Sequence, residues 1–245
     1  MNKQLLGRRF APDARDKQYP LRALLPIEPP VPVKYWDDDY WTGDQGNTSQ
    51  CVGYAWAHWI ENDPIVYSAA GPEVNPVDIY IEAQKVDEWP GQDYEGTSVR
   101  AGAKVLASRG NIQSYHWAVS AQDVADTILS IGPVVVGSDW TEDMFNPNAN
   151  GVIAPTGPVA GGHAYLINGY DSNTKMFRIK NSWGKSWGKD GHAFISQVDL
   201  NSLLAADGEG CLALEAYVDS PTPPETNWFM ALIQKIIAFF KELFS

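Results

Sequence analysis

Apolar positions fall into two textures along this chain. Residues 51–62, CVGYAWAHWIEN, put Val52, Ala55, Trp56 and Trp59 at helical spacing and predict a helix opening at Cys51. Thr97 is placed to cap SVRAGAKVLASRG, which ends at Gly110, and AQDVADTILSI, residues 121–131, reads as another amphipathic helix. Beyond Gly132 the pattern changes. PVVVGS, AYLINGY, MFRIK, HAFIS and CLALEAYV are short β-branched or aromatic runs divided by Gly, Asn, Asp and Pro, which is the signature of strands. Helices followed by strands predict an α+β fold of two lobes, a helical one over about 32–131 and a strand one over about 132–220.

The ends follow different patterns. Residues 1–31 read as an arm, basic at first and then proline-rich, with PIEPPVPV at 26–33 held extended. WDDDYW, residues 36–41, reads as a solvated turn between aromatic anchors; it lacks the alternating oxygen ligands of a calcium loop, and no metal is expected. PTPPET, residues 221–226, is a stiff linker. Residues 227–245 form an amphipathic helix whose polar face is narrow: Gln234, Lys235, Lys241, Glu242 and Ser245. Its wide apolar face needs a cover, and three are open to it: its own domain, a protein partner or second copy, or a membrane surface.

Charge then narrows the partners. The net charge is −12, yet residues 1–22 hold six basic and two acidic side chains. An acidic body argues against nucleic acid, since phosphate binding needs a positive surface. The basic arm is expected to fold onto that body. No apolar core of a secretory signal stands at the N-terminus. Two cysteines make no disulfide framework, which favours a reducing or virion-type setting.

Cys51 raises the question of chemistry. A nucleophilic thiol needs an imidazole, a group to hold that imidazole, and donors for a developing oxyanion. At a helix N-terminus the dipole favours thiolate. His163 stands between glycines and a strand in GGHAYLINGYD, whereas His58 lies on the cysteine's own helix and His116 and His192 lack that setting. Asn181 can fix the imidazole's tautomer, and Gln45, six residues before Cys51, can donate beside the Cys51 N–H. Cys211, in an apolar run, reads as a buried structural thiol.

These segments resemble the papain family of cysteine peptidases. DQGNTSQCVGYAWA is similar to its glutamine-to-cysteine segment, GGHAYLINGYD to its histidine strand, and IKNSWGKSWGKDGHAFIS to its asparagine segment. His163 and Asn181 follow Cys51 by 112 and 130 residues, the first closer than is usual for the family. The likeness runs over about residues 30–219. It implies a two-lobed papain-like fold, a helical lobe followed by an antiparallel β-barrel-like lobe, with the cleft between them. It implies a cysteine-type endopeptidase or amide hydrolase acting on polypeptides through an acyl-enzyme, without cofactor, and with a depressed thiol pKa. Cys51 would be the nucleophile, His163 its base and acid, Asn181 the orienting group and Gln45 the oxyanion donor. Trp183 would shield the Asn181–His163 contact; Gly96, Thr97, Gly137 and Gly162 would face substrate, Gly137 giving the main pocket one small wall.

The sequence also departs from the family. Thr48 replaces a cysteine, so the neighbouring disulfide is missing, as in bacterial and viral members; Ser49, Gln50 and Val52 are unusual around the nucleophile. The arm is shorter than the family's inhibitory prosegment, so latency is expected to work another way. A second class of function stays open: a catalytically silent scaffold acting as a structural or binding module, anchored by its C-terminal helix.

Overall fold

In a computed structural model, which describes residues 4–25, 31–36, 43–65, 74–91 and 93–216, an antiparallel sheet is the frame on which everything else is hung. Its strands are β1 (Val33–Tyr35), β2 (Ile112–Ala118), β3 (Val134–Thr141), β4 (Val159–Asp171), β5 (Met176–Lys180), β6 (His192–Ser196) and β7 (Glu209–Glu215). They run in the order β2-β7-β3-β4-β5-β6, with β1 paired to the far end of β4. β2 and β6 are left as edges, so the sheet is open rather than the barrel-like closure the resemblance implied.

The runs Val134–Val136 and Ala164–Ile167 are continuously apolar because both faces of the sheet are covered. Val135, Ala164 and Leu166 join a core with α1 (Cys51–Ile60), α2 (Pro76–Val86) and α3 (Val99–Ser108). Val134, Val136, Tyr165 and Ile167 join a second core with α4 (Ala121–Ser130), α5 (Gln197–Ala205) and the aromatic side chains Trp140, Phe177 and Trp183. The register Gly137↔Ala164 and Ser138↔His163 brings His163 to the centre of the sheet's end, next to the helix headed by Cys51.

Helix α1 is buried along all ten residues, which is why its sequence is aromatic and alanine-rich all round. Ser98, not the expected Thr97, caps α3, its side chain accepting from Ala101 N–H. Thr97 is engaged elsewhere: its hydroxyl donates to Asp87 at 2.7 Å and its backbone pairs with the arm.

Three elements carry weaker signals. α2 starts with Asn75 as cap and Pro76 in the first turn, and α5 with Ser196 accepting from Asp199 N–H. Both signatures are readable, but they stand beside short or mixed apolar patterns. Strand β2 lies within the stretch expected to be helical; it pairs with β7, more than ninety residues later in the chain, so its partner is invisible locally.

The arm folds onto the body, as the charge asymmetry anticipated. Short 3₁₀ turns at Ala14–Gln18 and Leu21–Leu24 interrupt it. Arg22 pairs with Asp126, and Asp16 with Arg100. The linker 221–226, the C-terminal segment 227–245 and most of the triple-aspartate turn lie outside the described residues. Among the described residues no group of His, Cys, Asp or Glu is arranged to hold a metal ion, and no helix is long and apolar enough to cross a membrane.

Candidate active site

The imidazole pair is fixed by donor logic. Ser182 N–H meets Asn181 Oδ1 at 2.8 Å, and a backbone N–H can only donate, so that atom is oxygen. The same oxygen lies 2.8 Å from His163 Nε2, which must therefore carry the proton. Nδ1 is left as the basic nitrogen. It is buried and has no hydrogen-bond partner among the described residues. Trp183 stacks on the ring with centroids 4.8 Å apart, and Trp140 meets it edge-on at 4.8 Å. The His163–Asn181 pair is wholly buried beside these indoles. Burial pulls the imidazole pKa down to about 4, against the opposing effect of Asn181.

Cys51 is the first residue of α1 and is wholly buried. Its sulfur lies among the backbone N–H groups of Ala164, Gly7 and Val52. Those donors and the nearby Arg8 cation favour thiolate, yet burial wins and pushes the thiol up to about 11. The expected lowering by the helix terminus is overridden. Desolvation of an anion in a closed site exceeds the roughly 0.3–1 kcal/mol that a helix end supplies. With the thiol near 11 and the imidazole near 4, both stay neutral at pH 7. Cys211 is also free and fully buried.

What closes the site is the arm. Leu5 O accepts from Gln45 Nε2 at 3.1 Å. Gly7 O accepts from Thr97 N–H at 2.9 Å, Arg8 N–H donates to Gly162 O at 2.9 Å, and Arg9 N–H donates to Thr97 O at 2.8 Å. Residues 5–9 thus lie extended through the cleft. A Cβ on Gly7 would stand 1.9 Å from Ser49 O, one on Gly162 2.2 Å from Arg8 O, and one on Gly96 2.2 Å from Gly7 O. The fit is backbone against backbone, which only glycine permits. The Gly7 N–H faces the sulfur and the Gly7 carbonyl is turned to Thr97. Residues 5–9 thus cover Gln45, Thr97 and Gly162.

Gln45 is held by Ser182, whose hydroxyl donates to Gln45 Oε1 at 2.6 Å, and by its own N–H on Ser182 O at 2.8 Å. Gly96, Thr97, Gly137 and Gly162 all lie against the arm, whereas Trp183 sits behind His163. Sequence reasoning missed Ser182, Trp140, Arg8 and Glu209. Arg8 Nε is 3.2 Å from Glu209 Oε1, with both side chains buried, and Arg8 Nη2 donates to Asp207 O at 2.6 Å. Burial pushes the Glu209 carboxyl up to about 7, against the pull of Arg8. Glu209 lies just before the apolar run read as a strand, and nothing local marks it.

Comparison with known proteins bears on the family and the fold. The profile of the papain family of cysteine proteases matches residues 42–206. Cathepsin O of Mus musculus is 32% identical over 93 residues, covering 35% of this chain and 28% of that protein. Cathepsin K of Gallus gallus is 39% identical over 74 residues, covering 29% of this chain and 22% of that one. The matches thus span about a quarter of those relatives' length. Xylellain, a cysteine protease from Xylella fastidiosa, superposes with a TM-score of 0.65 at 19% identity, covering 87% of this chain and 98% of its own. A procathepsin B of Trypanosoma congolense gives 0.58 at 13% identity, covering 86% and 82%. The match to the family profile over most of the chain, on a fold shared with these proteases, means that the chain belongs to the papain family of cysteine proteases.

Proposed function

We propose that this protein is a cysteine-type peptidase that hydrolyses amide bonds of extended polypeptides, and that it is held dormant by its own arm. The observation that carries the reading is a polypeptide already lying in the cleft, with a backbone carbonyl on Gln45 Nε2 and backbone pairing to Thr97 and Gly162.

In the working state the arm leaves and substrate takes its place. The Cys51 thiol gives its proton to His163 Nδ1, and the sulfur bonds to the scissile carbonyl carbon. The carbonyl oxygen gains the negative charge and is met by Gln45 Nε2 and the Cys51 N–H. Collapse of this intermediate breaks the C–N bond, and Nδ1 returns the proton to the departing amine. Water then attacks the thioester, giving up a proton to Nδ1, and the acid product leaves as the thiol is restored. Asn181 acts through His163, as a positioning residue. The helices α1–α3 and the sheet with α4 and α5 supply the two sides of the cleft.

The test is direct. An epoxide-type thiol inhibitor should add one mass increment to the protein once the arm is displaced, none to Cys51→Ala, and peptide cleavage should vanish in that variant. Folded protein with an open cleft that neither takes the label nor cleaves a peptide library would overturn the reading in favour of a silent scaffold.

A further inference from the structure

The loop that carries Gln45 is closed on itself. Gln45 is buried, and its side-chain nitrogen faces two backbone carbonyls, Thr48 O at 2.6 Å and Leu5 O at 3.1 Å. A carbonyl only accepts, so each contact uses one of the amide's two hydrogens. The amide oxygen accepts from the Ser182 hydroxyl at 2.6 Å. Three partners thus fix the plane of the amide. Thr48 and Ser182 belong to the body of the protein, and Leu5 belongs to the arm.

Thr48 answers this contact with one of its own. Its carbonyl accepts from Gln45 Nε2, and its hydroxyl donates to Gln45 O at 2.6 Å. The two residues are locked into a ring by one side-chain bond in each direction. The turn between them passes through Gly46 at φ +56°, where Asp44 Oδ1 accepts from the Gly46 N–H at 2.8 Å. The near side of the loop is tied to the asparagine segment: Gln45 N–H donates to Ser182 O at 2.8 Å, and Gly184 N–H to Gly43 O at 3.1 Å. Thr48 ties the far side.

When the arm leaves, Leu5 O goes with it and one Gln45 hydrogen is set free. The other stays on Thr48 O. An unrestrained amide turns its oxygen toward the cleft as readily as a hydrogen, and an oxygen there repels the charge that develops on a scissile carbonyl. We propose that Thr48 is a positioning residue, which holds the Gln45 amide so that the hydrogen now on Leu5 O is the one presented to the substrate's carbonyl oxygen. The proposal rests on the peptidase reading for the word substrate. Thr48 acts through Gln45 and not on the reacting atoms.

Two measurements test this. The first uses full-length Gly7→Ala protein, whose arm is displaced, as the parent. Thr48→Val keeps the shape of the side chain and loses its hydroxyl. It should lower kcat for peptide hydrolysis about tenfold, the range of one hydrogen bond, with KM little changed, and Thr48→Ser should restore it. Gln45→Ala should cost about a hundredfold, as the loss of an oxyanion donor does. Adding Thr48→Val to Gln45→Ala should then cost nothing more, because a positioning residue has no effect once the group it positions is gone. A kcat for Thr48→Val equal to the parent's, or a further tenfold loss in the double variant, overturns the proposal. The second measurement needs no catalysis. Solvent exchange of the Gln45 side-chain amide hydrogens is followed by nuclear magnetic resonance in the full-length protein with its natural arm. Thr48→Val should speed it about tenfold while Thr48→Ser leaves it slow; equal rates in Thr48→Val and the unsubstituted protein overturn the assignment. If no variant cleaves peptide but exchange still discriminates, the peptidase reading fails while the hold of Thr48 on Gln45 stands.

Discussion

Gly7→Ala is the sharpest perturbation this structure offers. A methyl group at that position would sit 1.9 Å from Ser49 O, and Ser49 stands next to Gln50, the N-cap of α1. Neither backbone has room to yield, so the arm must lift. Lifting breaks three backbone hydrogen bonds, Gly7 to Thr97, Arg8 to Gly162 and Arg9 to Thr97. At about 1 kcal/mol each this is about 3 kcal/mol, more than a hundredfold in the docking equilibrium. The consequence is read at the sulfur. A thiol held up near 11 has about one part in ten thousand as thiolate at pH 7. Hydration returning it to its reference value of 9.0 raises that about a hundredfold, before any gain in access. The assay is the rate of iodoacetamide alkylation at pH 7 by intact mass and peptide mapping, with buried Cys211 as internal reference. Cys51 in Gly7→Ala should react at least about a hundredfold faster than in wild type while Cys211 stays slow. Equal Cys51 rates in two proteins with the same circular dichroism would refute the idea that the arm seals the site.

Two buried groups also give opposing pH dependences. His163 titrates near 4 in the fold against a reference of 6.5, so the unfolded chain binds more protons between those values and stability is lost as pH falls through that window, by about 3 kcal/mol. Glu209 titrates near 7 against 4.5, so the folded protein binds more protons there and stability is lost as pH rises from 4.5 to 7, by a similar amount. Urea unfolding at pH 7.5, 6 and 4.5 should therefore show Glu209→Gln weakening more steeply than wild type on acidification and His163→Gln weakening less; parallel slopes for all three would contradict both assignments. Asn181→Ala removes one oxygen that serves both Ser182 N–H and His163 Nε2–H, so in an arm-displaced background kcat should fall about tenfold or more with little change in KM; a change in KM alone would mean that Asn181 does not act through His163.

The elements that carry the candidate site residues were legible because local rules constrain them. Cys51 opens a helix visible in its own apolar spacing, and His163 and Asn181 stand in glycine- and tryptophan-marked segments whose strands are short, β-branched and bounded by turns. The asymmetry of charge also foretold an arm lying on an acidic body. Strand β2 was hidden because its identity comes from pairing with β7 across nearly a hundred residues. The apolar runs of β3 and β4 gave strands but not their two-sided burial, which needs both helical layers in place.

The state of the site was decided by tertiary structure alone. A helix N-terminus by itself argues for a reactive thiolate, and the fold reverses that by burying the sulfur under residues 5–9. Nothing in LLGRRF announces a segment that fits a cleft. Its fit depends on Gly7 meeting Ser49, Gly162 meeting Arg8, and Arg8 reaching Glu209, three contacts between parts of the chain tens to hundreds of residues apart. Sequence fixes which groups are available; desolvation and close packing, which exist only once distant segments meet, decide which of them are charged, covered or ready to react.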